Sequence, residues 1–152
     1  MFYKKYGKDK DLYRPWGSIA TPGLDIVLEG EYRGRQFIIG AHNNGYPVAY
    51  LEVKKSDIIY DETTHSYSIL DTTLYHSDIL SSVNGGSTYF GTPYWDPHDE
   101  RKYVGWGYCH YRDYTTLMPE EGGKKWRLIE ILMEVAAAEQ EISMFNKAGK
   151  CK

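Results

Sequence analysis

The chain has 152 residues, of which 41% are hydrophobic and 26% charged, enough for one domain with its own core. A net charge of −3 and a pI near 5.9 argue against a binder of duplex DNA, which neutralises phosphates with a broad basic surface. Mean hydropathy is −0.58, and no apolar run approaches the roughly 20 residues of a membrane span, so no membrane partner is expected.

Residues 1–23 read as an irregular leader, punctuated by Pro15, Gly17, Pro22 and Gly23, with Trp16 pinning it to the domain. Its first residues are basic but no apolar segment follows, so no secretory signal is expected. A single α+β domain is predicted over 24–147. Leu24–Glu31 is a first strand, Tyr32–Arg35 a turn and Gln36–Ala41 a second, apolar strand. Asn43-Asn44-Gly45 is the strongest hairpin signal, because Asn and Gly tolerate the positive φ of tight turns. Pro47–Lys54 is the return strand, with Pro where a strand accepts it. Asp57–Tyr60 and Tyr67–Leu70 are short strands around an Asp61–Thr64 turn, and Asp71–Leu80 is a helical turn or a loop. Ser82–Gly91 is a turn feeding a strand, and 92–102 is a polar connection.

The densest aromatic stretch is Tyr103–Tyr114, read as a strand near the centre of the sheet. Alternation puts Val104, Trp106, Tyr108 and His110 on one face and Tyr103, Gly105, Gly107, Cys109 and Tyr111 on the other. After a loop at Leu117–Gly123 comes a helix over about Lys124–Lys147. Leu128, Ile131, Leu132, Val135, Ala138, Ile142 and Phe145 form its apolar stripe, and Glu130, Glu134, Glu139 and Glu141 lie mostly away from it. Gly149 is a candidate C-terminal cap, and residues 148–152 are a flexible tail. Together these predict a small antiparallel β-sheet with one long C-terminal amphipathic helix across one face.

Cys109 and Cys151 are the two cysteines, read as free thiols of a reducing cytoplasm. Four-cysteine zinc sites are excluded by count and two-cysteine, two-histidine fingers by spacing. His42, His65, His76, His98 and His110 are scattered without metal-ligand spacing, so no metal and no cofactor is expected. The 15 tyrosines supply flat apolar faces with polar tips, which suit cross-strand packing and ligand stacking alike.

Two stretches could carry chemistry. In Asn84-Gly85-Gly86-Ser87-Thr88, adjacent glycines can turn backbone N–H groups toward an anion, although two glycines before a strand are more often a plain turn. It is neither a Walker loop nor a dinucleotide fingerprint. In His110–Asp113, a His oriented by a carboxylate could act as acid or base, although such residues also satisfy backbone groups at strand ends.

Three segments, 45–51 (Gly-Tyr-Pro-Val-Ala-Tyr-Leu), 83–91 (Val-Asn-Gly-Gly-Ser-Thr-Tyr-Phe-Gly) and 105–114 (Gly-Trp-Gly-Tyr-Cys-His-Tyr-Arg-Asp-Tyr), occur in that order before a Glu-bearing helix. Together they resemble a family of small uncharacterised proteins encoded by phages and prophages. Members carry a Val-His-Gly-Gly-Leu-Thr-Tyr-x-Gly turn and a Gly-Phe-Asp-Cys-Ala-His-x-Gly-Asp strand. His110 and Asp113 match; the family's His before Gly-Gly is Asn84 here, and its Asp-Cys pair is Gly107-Tyr108. Two polar members of any His/Asp-based active site are therefore absent, which lowers the enzyme reading.

The resemblance implies an accessory protein of the bacterial host cytoplasm that counters host defence. The leading expectation is a non-catalytic binder of a nucleotide-type immune signal. Asn84, Gly85, Gly86, Thr88, Tyr89, Trp106, Tyr108, His110, Arg112 and Asp113 would form its site, with aromatic rings stacking on a base and Arg112 and the Gly-Gly amides taking a phosphate. A homodimer could wall such a site. The alternatives are an inhibitor that binds a host defence protein through exposed Tyr and Trp, and a small hydrolase or nuclease using His110 and Asp113.

Overall fold

The computed structural model describes residues 2–20, 23–61, 65–70 and 79–150. Strands β1 (Phe2–Lys5), β2 (Leu24–Tyr32), β3 (Arg35–His42), β4 (Pro47–Val53), β7 (Tyr89–Gly91) and β8 (Lys102–Gly107) form an antiparallel sheet in the order β1-β2-β3-β4-β8-β7. A separate hairpin pairs β5 (Ile58–Asp61) with β6 (Ser66–Ile69). One helix, α1 (Leu128–Lys150), packs across β3 and β4 and against the small hairpin. This is the predicted α+β arrangement. The reading of Asp71–Leu80 lies, but for its last two residues, outside the described residues.

Alternation sorts the large sheet into two faces. Ala49, Leu51 and Val53 of β4 and Val104 and Trp106 of β8 join Ile131, Val135, Ala138 and Ile142 of α1 in the main core. Val48, Tyr50 and Tyr103 belong to a second cluster on the opposite face. Strands β3, β4 and β8 are therefore covered on both sides and read as nearly continuous apolar runs.

The aromatic stretch departs from its sequence reading in two ways. Strand β8 ends at Gly107, so His110, Arg112 and Asp113 belong to the loop after it. It is also one place from the edge, flanked by the three-residue β7, and not central. Residues 110–114 turn away because they form another pairing: Lys124 N donates to Arg112 O at 2.7 Å and Tyr114 N to Lys124 O at 2.9 Å. The same pairing delays the helix, which begins at Leu128 and not at Lys124.

The leader is not irregular throughout. Strand β1 pairs with β2, from Phe2 opposite Glu31 to Lys5 opposite Leu28, and Leu12 is fully buried. Asp9 Oδ1 accepts the Leu128 N–H at 2.8 Å, so the leader caps α1 from outside, where a carboxylate also meets the positive end of the helix dipole. Glu130 accepts the Arg127 N–H at 2.9 Å, the reach-back half of a capping box. At the other end Gly149 is not a cap. The helix runs through it, and a Cβ there would come within 2.7 Å of Ile58, so glycine lets α1 approach β5 closely.

Near that end lies a buried ion pair. Arg35 donates two bonds of 2.6 Å to Asp57, with the residues 6% and 3% exposed. Asn146 of α1 donates to the same carboxylate at 3.0 Å, and Lys54 N does so at 2.7 Å. Burial pushes the Asp57 carboxyl up, but the bonds from Arg35, Lys54 and Asn146 outweigh it and hold the group below the ordinary aspartate range. As pH falls the unfolded chain takes up this proton first. The contribution is thus fully present above the unfolded pKa of about 4 and is lost as pH falls through the lower folded value. Arg35→Met strands the carboxylate and is expected to cost about 3–5 kcal/mol in urea unfolding at pH 7, with less loss in acid.

A second test concerns the sheet. A Cβ on Gly105 would lie 2.5 Å from the Tyr50 ring, whereas one on Gly107 would lie 3.2 Å from Tyr46. Gly105→Ala is expected to destabilise by about 1–3 kcal/mol, and Gly107→Ala by less, in the same assay.

Candidate functional site

The ten residues singled out in the sequence do not converge on one surface. All but Arg112 divide between a fastening on the helix side of the sheet and a cleft on the other face.

The fastening is built on two carboxylates. Asp113 Oδ2 accepts the Asn84 side-chain amide at 2.7 Å and the His110 backbone N–H at 3.0 Å, and Oδ1 accepts the Trp126 indole N–H at 2.9 Å. Glu134 Oε1, from α1, accepts the Asn84 N–H at 3.1 Å and the Tyr108 hydroxyl at 2.6 Å. The Trp106 indole in turn donates to Tyr108 at 2.9 Å, and Tyr108 packs 4.9 Å from Trp126. Burial, then Glu134, raises the Tyr108 phenol far above its ordinary value, so it remains a donor. Asn84, Tyr108, His110 and Asp113 are thus brought together, but with their polar groups turned on one another.

Gly85 explains how the turn fits. Its φ is +71°, and a Cβ there would sit 2.2 Å from His110 Nε2, so the imidazole lies directly on the glycine backbone. That Nε2 is buried and has no hydrogen-bond partner among the described residues. Asp113 holds the His110 backbone and not its ring, so the geometry is not that of a carboxylate orienting a general base.

The Gly-Gly turn also differs from an anion cradle. The Gly86 N–H donates to Val83 O, the Ser87 N–H to Leu80 O and the Thr88 N–H to Gly105 O, while the Asn84 N–H goes to Glu134. Ser87 Oγ accepts the N–H groups of Ile79 and Leu80, each at 2.9 Å. The turn closes on the protein itself. Arg112 stands apart from both clusters: it is exposed, has φ +82°, and its guanidinium lies 5.8 Å from the ring of Tyr111, itself 92% exposed.

The cleft lies over β4 and β8 on the face away from α1. It encloses about 200 Å³ and is lined by His42, Tyr46, Val48, Tyr50, Thr88, Tyr89, Tyr94, Trp106, Gly107 and Cys109. Register makes it. Tyr50 is opposite Gly105 and Val48 opposite Gly107, so these two side chains of β4 stand beside positions of β8 that carry none. Tyr50 meets Tyr89 edge-on at 5.3 Å and Trp95 at 4.3 Å, and its hydroxyl is 3.0 Å from that of Tyr94. His42 stacks on Tyr46 at 4.8 Å, nearly parallel, and its Nδ1 accepts the Asn44 N–H at 3.0 Å.

Every titratable shift resolved on this lining favours the neutral form at pH 7. Burial lowers His42 and raises Tyr50 and Tyr94, and it pushes Tyr46 up to about 12. Burial also raises the Cys109 thiol although the residue as a whole is exposed, so it is not an activated nucleophile.

Of the residues expected to bind, Thr88, Tyr89 and Trp106 line the cleft. His42, Tyr46, Tyr50, Tyr94 and Cys109 were not singled out. The signal for two of them was present in the alternation Tyr46-x-Val48-x-Tyr50 and its counterpart Gly105-x-Gly107, whose meaning depends on the register between them. No group of three or more His, Cys, Asp and Glu among the described residues could hold a metal ion, and no helix among them is long and apolar enough to cross a membrane.

No family model, curated protein or solved structure matches the chain.

The fastening predicts a stability effect. Asp113→Ala strands the Asn84 amide, the His110 N–H and the Trp126 indole, and is expected to cost about 3 kcal/mol in urea unfolding. Asp113→Asn, which keeps one acceptor oxygen, should cost less.

Proposed function

We propose that the protein is a non-catalytic binding protein that sequesters a nucleotide-type signal, with the aromatic cleft as its seat. The observation that carries this reading is the cleft itself: rings of Tyr46, Tyr50, Tyr89 and Tyr94 gathered around a space that Gly107 of β8 helps to line, with the Tyr50 ring seated against Gly105. Such walls suit a flat aromatic ligand, and one base stacked on an aromatic side chain contributes about 1–3 kcal/mol. At about 200 Å³ the space is smaller than the ~300–1,000 Å³ of drug-sized sites, so it takes one ring system, with the rest of a larger ligand outside.

The resemblance of segments 45–51, 83–91 and 105–114 to phage and prophage proteins supports placing this binding in a bacterial cytoplasm, where removing a nucleotide signal would blunt a host defence. Catalysis is the weaker reading. His110 and Asp113 are committed to the fastening, and the Cys109 thiol is held in its protonated form. A second binding reading, inhibition of a host defence protein, has one observation in its favour. Trp16, Leu117 and Met118 are 63%, 52% and 42% exposed, and their segments are fastened to the Asn43–Gly45 turn by Gly17 N to Asn43 O and Thr116 N to Gly45 O.

The test is to purify the protein from bacteria with an active nucleotide-signalling defence, release bound molecules by heat and weigh them by mass spectrometry. An intact nucleotide near one equivalent is expected, falling about tenfold in occupancy-limited binding for Tyr94→Ala. A protein that arrives empty, and whose melting temperature no nucleotide shifts, overturns the reading. A stoichiometric host protein in its place supports the inhibitor.

A further inference from the structure

We propose that the cleft reads its ligand through an uncharged heteroaromatic ring alone and leaves any phosphate in solvent, so that a nucleoside is held as tightly as the corresponding nucleotide. The inference rests on the reading of the cleft as the binding site and names the chemistry that the site selects.

The composition of the walls is the first ground. Among the described residues no Lys, Arg, Asp or Glu lines the cleft. A phosphate drawn inside would lose water without gaining a counter-charge, and an uncompensated buried charge costs far more than a base stack returns. The second ground is the neighbouring backbone. The turn that could have supplied amides to an anion spends the N–H groups of Asn84, Gly86, Ser87 and Thr88 inside the protein. Arg112, the cation expected to meet a phosphate, is not among the lining residues.

What the walls do offer is neutral hydrogen bonding around a stacking surface. With Nδ1 accepting from Asn44, the neutral imidazole of His42 carries its proton on Nε2 and is a donor. The paired hydroxyls of Tyr50 and Tyr94, and that of Tyr46, add groups that can donate or accept. Ring nitrogens and exocyclic amino or carbonyl groups of a base match this set, and a phosphate does not. A bivalent or cyclic nucleotide would enter by one base at a time.

The experiment is calorimetric titration of the full chain, freed of bound ligand, with the four common ribonucleosides, their 5′-monophosphates and inorganic phosphate, each at low and at high salt. The expected result is that at least one nucleoside binds, that its monophosphate agrees within about threefold, that inorganic phosphate gives no heat, and that salt changes neither affinity. Tyr94→Ala should weaken nucleoside and nucleotide alike, by about tenfold, consistent with one lost stack; Tyr94 is at the rim, 37% exposed, so the variant is expected to fold. A monophosphate that binds ten times or more tighter than its nucleoside, with the difference lost in high salt, overturns this inference and leaves the sequestering role standing. Silence from nucleosides and nucleotides alike overturns both.

Discussion

The pairing of β4 with β8 sets the terms for the rest of the molecule. Tyr50 faces Gly105 across the ladder, and the distance from its ring to where a Cβ would be is 2.5 Å. Any side chain at 105 would displace the ring. Because strand side chains alternate, the residues between and before these glycines, Trp106 and Val104, point to the other face. There Val104 and Trp106 pack against α1. One strand thus provides a smooth floor for tyrosine rings above and a thick apolar wall for the helix below. The tyrosine richness of the chain follows from this in part: Tyr46, Tyr50, Tyr89 and Tyr94 lie on the face where Gly105 and Gly107 carry no side chain.

The helix is held by carboxylates that point inward. Glu130 caps the first turn and pairs with Lys124, Glu134 takes Tyr108 and Asn84, Glu139 takes Ser143 and Arg33, and Glu141 takes Ser81 and Ser82. An amphipathic helix ordinarily gives its charges to water. Here they are used to fasten loops, and the outward residues are Ile129, Met133, Gln140, Met144 and Lys147. Asp9 at one end and the Asn146–Asp57–Arg35 cluster at the other complete the attachment. The turn at 83–88 and the loop at 108–113, the most motif-like parts of the sequence, are held by the same helix through Glu134.

This has a consequence for function. A polar constellation of His, Asp, Asn and Glu invites a catalytic reading, but the acceptors are already occupied by donors of the fold, and the His110 ring is pressed against Gly85. Hydrogen-bond networks of this kind position what lies next to them. What lies next to this one is the end of β8, and with it Gly107 and Cys109 at the edge of the cleft. The polar residues support a cleft whose walls are neutral and aromatic.

Much of the fold was legible in the sequence because it depends on local rules. The Asn43-Asn44-Gly45 turn closes on a glycine with φ of +92°, β4 and β8 show period-two alternation, and α1 shows its three- and four-residue stripe. Places where the prediction slipped are those where a distant partner decides. Strand β8 stops at Gly107 because 112–114 pair with Lys124, α1 starts late for the same reason, and residues 2–5 become a strand because β2 offers an open edge. Strand alternation alone places Gly105 and Gly107 on one face and Trp106 and Val104 on the other. That Tyr50 stands opposite Gly105 comes from the assembled sheet, since register between strands distant in the chain is set by packing on both faces at once. That register separates the cleft from the polar fastening, and no local pattern carries it.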